Sequence, residues 1–223
     1  MECASEKKYV QFGSGLCGPE GWLNYDISPT LRLQRLPLVG SFFNKVGPKF
    51  PSTIRYGDVV TGLPLPDQSC EAVYSSHVLE HLALNDMRTA LSNVHRLLVP
   101  GGRFRFVVPD LRRLARDYLN SDATDASVRF MQESYLGRKS RPKGVTGLLR
   151  ALLGNSGHLW MWDFESMKGE LEAAGFADVR RAVFGDSADP KFHLVENHDR
   201  WEGCLGIECV RVRSAAALQT KAA

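Results

Sequence analysis

Residues 72–110 read AVYSSHVLEHLALNDMRTALSNVHRLLVPGGRFRFVVPD, and the change of period inside this stretch decides the fold. Residues 72–76 are short and mostly apolar, whereas Leu84, Met87, Leu91, Val94 and Leu98 recur at helical spacing, so a strand gives way to a helix near His77. Pro100, Gly101 and Gly102 then stop that helix, because proline cannot continue the hydrogen-bond ladder and glycine accepts the left-handed conformation of a C-cap. The RFRFVV that follows, residues 103–108, is predicted as a buried strand. Strand, helix and strand make a βαβ unit whose strand ends carry His77, Glu80, His81 and Asp110. In an open parallel sheet the ligand crevice forms at those carboxyl ends, so the segment predicts a site together with a fold.

Working outward toward the N-terminus, YVQF at 9–12 reads as a strand running into Gly13-Ser14-Gly15, and WLNYDI at 22–27 as a second strand that reaches Asp26. Residues 31–51 are basic, apolar and punctuated by proline and glycine, which predicts a short helix and a flexible stretch over one face. A third strand at 53–56 ends at Gly57-Asp58, and LPLPD at 63–67 is a turn because its prolines exclude a regular helix. Toward the C-terminus, Asp110 is placed to cap a helix marked by Leu111, Leu114, Tyr118 and Leu119. Residues 121–157 are the least regular, with a helix expected around 128–135, a basic loop and GLLRALLG at 147–154; an excursion of this kind predicts a lid or substrate-covering insertion. Asp163 caps a helix at 164–174, strands follow at 179–184 and 207–212, and the connection 190–204 has no clear helical period. If the last two strands form an antiparallel hairpin, the chain is one α/β domain over 1–223: a Rossmann-like, seven-stranded, mostly parallel sheet with helices on both faces.

Composition narrows the class. A chain of 223 residues with 43% hydrophobic and 24% charged residues is ordinary for a globular protein, and no apolar run approaches the roughly 20 residues of a membrane helix. The N-terminal residues lack the apolar stretch of a secretory signal, so a cytoplasmic location is expected. The five cysteines form no CxxC pair, which argues against a zinc knuckle and predicts buried, apolar side chains. A net charge of +3 is too small to imply nucleic acid, and Arg138, Lys139, Arg141 and Lys143 sit among glycines and a proline, as on a solvated loop.

The strand ends carry the chemistry. Glycines let backbone approach a ligand closely, a carboxylate after the second strand can accept both hydroxyls of a ribose, and an acid after the third can accept a bond from an exocyclic amine. Gly-Ser-Gly, Asp26 and Asp58 in that order describe an adenosine cradle.

Through FGSG, NYDIS, GDVVTGLPLPDQSCEAVYSSHVLEHL, RLLVPGGRFRFVVPD and GHLWMWDFESMKGELEAAGF, the chain resembles class I S-adenosylmethionine-dependent methyltransferases, specifically the small methyltransferase-11-like group. The resemblance implies S-adenosyl-L-methionine as cofactor, with Gly13, Ser14 and Gly15 by its methionine end and Asp26 and Ile27 by the ribose. It also implies Asp58 and Val59 by the adenine, and Ser76 and His77 at its centre. One departure stands out: the residues between Gly15 and Asp26 are too few and too rich in glycine and proline for the usual full helix, so the first cofactor-loop helix is shortened. Either weak cofactor affinity or cover from 31–51 is then expected.

Methyl transfer from a sulfonium demands alignment and exclusion of water, and needs a base only for a poorly acidic hydroxyl or an ammonium. His77 and His158 are the candidate bases, with Asp163 as an orienting carboxylate; Trp160 and Trp162 are expected to fill core. The expected partner is a small-molecule or glycan acceptor methylated at oxygen or nitrogen, without nucleic acid, a membrane span or a bound metal. Two alternatives remain: a methyltransferase-like domain that binds without catalysing, and a zinc hydrolase, since residues 77–81 also spell H-x-x-E-H.

Overall fold

The computed structural model describes residues 8–37, 49–140 and 157–212. Seven strands form one sheet: β1 (Lys8–Phe12), β2 (Leu23–Asp26), β3 (Ile54–Tyr56), β4 (Cys70–Ser76), β5 (Leu98–Pro109), β6 (Phe176–Ala182) and β7 (Cys204–Arg211). Their order is β3-β2-β1-β4-β5-β7-β6, with parallel pairing from β3 through β5 and β7 antiparallel to both its neighbours. The chain winds outward from β1 in one direction and from β4 in the other, so the adjacent ends of β1 and β4 are the topological switch point where a crevice opens.

Among the described residues the helices are α1 (Pro29–Gln34), α2 (Leu84–Leu97), α3 (Leu111–Leu119), α4 (Ala126–Glu133), α5 (Phe164–Ala173) and the short α6 (His198–Trp201). The buried face of α2 is Met87, Ala90, Leu91, Val94 and Leu97, the predicted stripe, which packs with Val73, Phe104 and Phe106 of the sheet. Asp110 caps α3 by accepting from the backbone amides of Arg112 and Arg113. Asp163 and Ser166 form a reciprocal capping box on α5.

Several local expectations are corrected. The helix ends at Leu97, before the Pro-Gly-Gly, and residues 100–102 lie inside β5 as an irregularity: Cys70 pairs with Leu98 but Ala72 with Arg103. Between β1 and β2 the described backbone holds turns and no helix at all. The 190–204 connection contains a 3-10 turn at Pro190–Leu194 and α6. Cysteines do not all pack inside, since Cys17 is exposed and Cys204 half-buried, while Cys70 and Cys209 are buried. Trp162 is core, but Trp160 is 43% exposed. Arg138 and Lys139 are exposed; Arg141, Lys143, GLLRALLG and most of the 31–51 cover lie outside the described residues. No helix among the described residues is long and apolar enough to cross a membrane.

Candidate active site

Two cavities flank the carboxyl end of β4. The first, about 400 Å³, is lined by Gly13, Ser14 and Gly15 after β1, by Tyr74 and Ser76 of β4, and by Val195, Glu196, Asn197 and Arg200. The second, about 530 Å³, includes His77, Glu80, His81, Tyr135, His158, Arg200 and Cys204 in its wall. Arg200 belongs to both.

The glycine loop keeps its shape without a helix because buried amides hold its backbone. Gln11 Nε2 donates to the Cys17 carbonyl at 2.7 Å and to Asn24 Oδ1 at 2.6 Å. Asn24 Nδ2 in turn donates to the carbonyls of Pro19 and Trp22, both at 3.1 Å. These side chains, on β1 and β2, replace the intrahelical partners that loop carbonyls would otherwise have. Gly13 is required as glycine: its φ is +65°, and a Cβ there would lie 2.0 Å from Val78 Cγ2. The Ser14 hydroxyl, in the wall of this cavity, is buried without a hydrogen-bond partner.

Asp26 is turned toward the loop. Its Oδ2 accepts from the Gly15 amide at 2.8 Å and its Oδ1 from the Ser28 amide at 2.7 Å. Both oxygens keep a further lone pair for a ligand hydroxyl. Asp58 Oδ1 accepts from the Val60 amide at 2.8 Å, Val59 is buried in the core, and Ile27 is largely exposed. Of the expected cofactor residues, Gly13, Ser14, Gly15 and Ser76 line the first cavity; Asp26, Ile27, Asp58 and Val59 stand outside its wall and His77 faces the second. Cover over the first cavity comes from 195–200, not from α1, which packs Leu31 with Phe50 and Ile54 beside β3.

His77 occupies the left-handed region, φ +54°, a conformation that costs a non-glycine residue about 1 kcal/mol or more. Its amide donates to the Val107 carbonyl at 2.9 Å. In the ring, Nδ1 donates to Glu80 Oε1 at 3.1 Å and Nε2 to the Arg200 carbonyl at 2.8 Å, with Cys204 Sγ at 3.8 Å. Burial opposes charge on this ring, but Cys204, the Glu80 carboxylate and the Arg200 carbonyl together outweigh it and push His77 up to about 10. With both nitrogens donating, His77 holds a proton and cannot take one.

His158 reaches the same cavity from a distant segment. The Leu159 and Trp160 amides donate to the Glu80 carbonyl at 2.8 and 3.1 Å, which locks the segment leading to α5 against the 3-10 turn Leu79–His81. His158 Nε2 then lies 4.0 Å from Glu80 Oε1, and its ring meets His81 and Tyr135 at centroid distances of 4.9 and 5.1 Å. Burial is the leading cause that holds its pKa below the usual histidine value, so it is neutral near pH 7. Asp163 lines neither cavity: the Ser166 amide and hydroxyl and the Arg112 guanidinium engage its carboxylate and bring it down to about 2. The carboxylate beside His158 is Glu80.

Sequence reasoning missed Gln11, Asn24, Asn197, Arg200 and Cys204, and gave Glu80 no part beside His158. Gln11 and Asn24 had a legible signal, polar residues at buried strand positions; Arg200 and Cys204 had none, because their segment lacks periodicity. The H-x-x-E-H spacing does not build the hydrolase arrangement, since His77 lies before the turn that carries His81 and points both nitrogens elsewhere.

Residues 24–106 match the methyltransferase domain family. The chain is 35% identical over 80 residues to an uncharacterized 37.1 kDa protein in transposon TN4556 of Streptomyces fradiae. That stretch is 36% of this chain, and it spans only 22% of the relative's length. Among solved structures, the chain is similar to a phosphoethanolamine N-methyltransferase of Haemonchus contortus in complex with phosphomonomethylethanolamine and S-adenosylhomocysteine. The TM-score is 0.50 at 10% identity, over 93% of this chain and 49% of that one. It is also similar to an S-adenosylmethionine-dependent methyltransferase of Archaeoglobus fulgidus, with TM-score 0.49 at 17% identity over 92% and 86% of the two chains. Identities this low speak to the fold alone.

Proposed function

We propose that this chain is a class I S-adenosylmethionine-dependent methyltransferase, a reading supported by the match of residues 24–106 to the methyltransferase domain family, and that it moves a methyl group to a small-molecule or glycan acceptor at oxygen or nitrogen. The observation that carries the proposal is the adjacency of the two cavities: a glycine-lined cleft at the switch point and a histidine-lined cavity beside it, with Arg200 in the wall of both.

The residues present suit the cofactor. Gly13 lets the loop pack tightly against Val78 in a left-handed conformation, the unpartnered Ser14 hydroxyl offers a donor inside the cleft, and Asp26 holds the loop amide of Gly15 while keeping lone pairs for a ribose. When bound, the cofactor supplies an electrophilic methyl on a sulfonium. The protein's part is alignment and exclusion of water, which in-line displacement rewards most. Gly13, Ser14, Gly15 and Ser76 shape the cofactor side, and Asp26 with Ile27 after β2 and Asp58 with Val59 after β3 would receive the ribose and the adenine beyond that wall. His77, held as a cation by Glu80 and Arg200, is a fixed wall between cofactor and acceptor. Of the two histidines singled out, His158 alone keeps a lone pair for the acceptor side; Asp163 serves it only at a distance, by capping α5.

Calorimetry with S-adenosylmethionine and S-adenosylhomocysteine is the test. Binding in the micromolar range is expected, and Asp26→Ala should weaken it about tenfold, the scale of one lost charge-assisted hydrogen bond. Absence of binding at millimolar concentration would remove the catalytic reading in favour of a non-catalytic domain of the same fold.

A further inference from the structure

Glu80, His81 and His158 each bring a ligand atom within 4.8 Å of the others in the wall of the second cavity. We infer that these three residues bind one divalent transition cation of the zinc or manganese class.

A second observation points to a ligand independently of the clustering. Glu80 is 1% exposed; Oε1 accepts from His77, but Oε2 is buried with no hydrogen-bond partner. The ring nitrogen of His158 that faces this carboxylate is Nε2, 4.0 Å from Oε1. A carboxylate oxygen left unpaired in a protein interior is costly, and one on a side chain flanked by two imidazoles is best answered by a shared cation.

The surroundings orient the donors as a metal site requires. His81 Nδ1 lies 3.1 Å from the Gly157 carbonyl, a bond that requires the proton on Nδ1 and so leaves the Nε2 lone pair to coordinate. His77 holds the other oxygen of Glu80, fixing the plane of the carboxylate. The paired amides of Leu159 and Trp160 on the Glu80 carbonyl set the separation of the two segments. Two imidazoles and one carboxylate favour a transition cation over magnesium or calcium, which select oxygen. Three protein ligands leave a coordination position open to the cavity, where an oxygen atom of an acceptor would fit. That use rests on the methyltransferase reading, and in it His158 is a ligand and not the proton acceptor; the site itself does not rest on it. The H-x-x-E-H spacing pointed to a metal but to His77 as a ligand; His158, remote in the chain from His81, gave no signal.

The chelator-treated full chain is titrated with Zn²⁺ by calorimetry and with Co²⁺ by visible absorption, and separately with S-adenosylhomocysteine. One equivalent of cation is expected, with a ligand-field band for Co²⁺, and Glu80→Gln, His81→Ala and His158→Ala should each weaken binding tenfold or more while circular dichroism reports folding. His158→Ala, in a segment outside the helices, guards against a Glu80 variant that fails to fold. No bound cation, or unchanged affinity in both histidine variants, overturns the site. Cation binding without S-adenosylhomocysteine binding supports the site and removes the methyltransferase reading; the converse removes the site alone.

Discussion

The two cavities at the end of β4 differ in how their polar groups are satisfied. Around the glycine loop, the carboxylates of Asp26 and Asp58 accept from backbone amides within a few residues or from the neighbouring loop, and the amides of Gln11 and Asn24 hold its carbonyls. In the histidine cavity, Glu80 Oε2 is left open at the junction of segments far apart in the chain. A backbone-built cleft is rigid before any ligand arrives, whereas a side-chain constellation with an unpaired acceptor is completed by what it binds. That difference accounts for why the first can be read from local spacing and the second cannot.

The comparison can be broken at three depths. The largest effect is expected at Arg105, which is fully buried and bonds Glu196, Glu208, Asp186 and the Val183 carbonyl. Its removal leaves Glu196, part of the roof of the glycine-loop cleft, without its counter-charge. Arg105→Ala should cost about 3–5 kcal/mol in chemical denaturation, the range for breaking a buried ion pair. A loss below about 1 kcal/mol would show that the roof is held by packing alone.

Next comes the loop itself. Gly13→Ala meets Val78 and a disfavoured φ, whereas Gly15→Ala, at φ +55°, meets nothing within 4 Å. The first should cost about 1–3 kcal/mol and abolish measurable S-adenosylhomocysteine binding; the second should cost about 1 kcal/mol from conformation only. Equal losses at both positions would mean that strain and not close packing makes the cleft.

The smallest effect sharpens the role of Asp163. Its folded pKa, about 2, lies below the unfolded value, so its contribution is present in full above about pH 4 and fades as pH falls toward 2. Asp163→Ala should therefore lose about 1 kcal/mol at pH 7, the usual range for an N-cap. The gap to the parent protein should close on acidification. Denaturation curves at pH 7 and pH 3 check this; a large loss of activity with unchanged stability would restore Asp163 to the catalytic group.

Much of the sheet was legible because its signals are local. The apolar run at 72–76, the α2 stripe and the acidic or glycine-rich residues after successive strands all report on neighbours within one or two turns of chain. Pro100-Gly101-Gly102 misled for a related reason: those residues forbid a helix, but they do not say whether the chain turns or bulges, and the pairing of Ala72 with Arg103 made them part of β5. Asp163 is legible as a cap, whereas its absence from both cavity walls is decided in three dimensions.

The sequence by itself determined the seven-stranded frame, the glycine loop at its switch point and the absence of a full helix before Asp26, since periodicity, turn chemistry and segment length constrain these within short windows. Only the tertiary structure decided that Arg200 closes the cleft, that His77 carries a proton between Glu80 and a carbonyl of that same residue, and that Glu80 meets both His81 and His158. These contacts join segments separated by tens of residues, and the free energy that selects them comes from packing and charge neutralisation in three dimensions, which leaves no period in the chain.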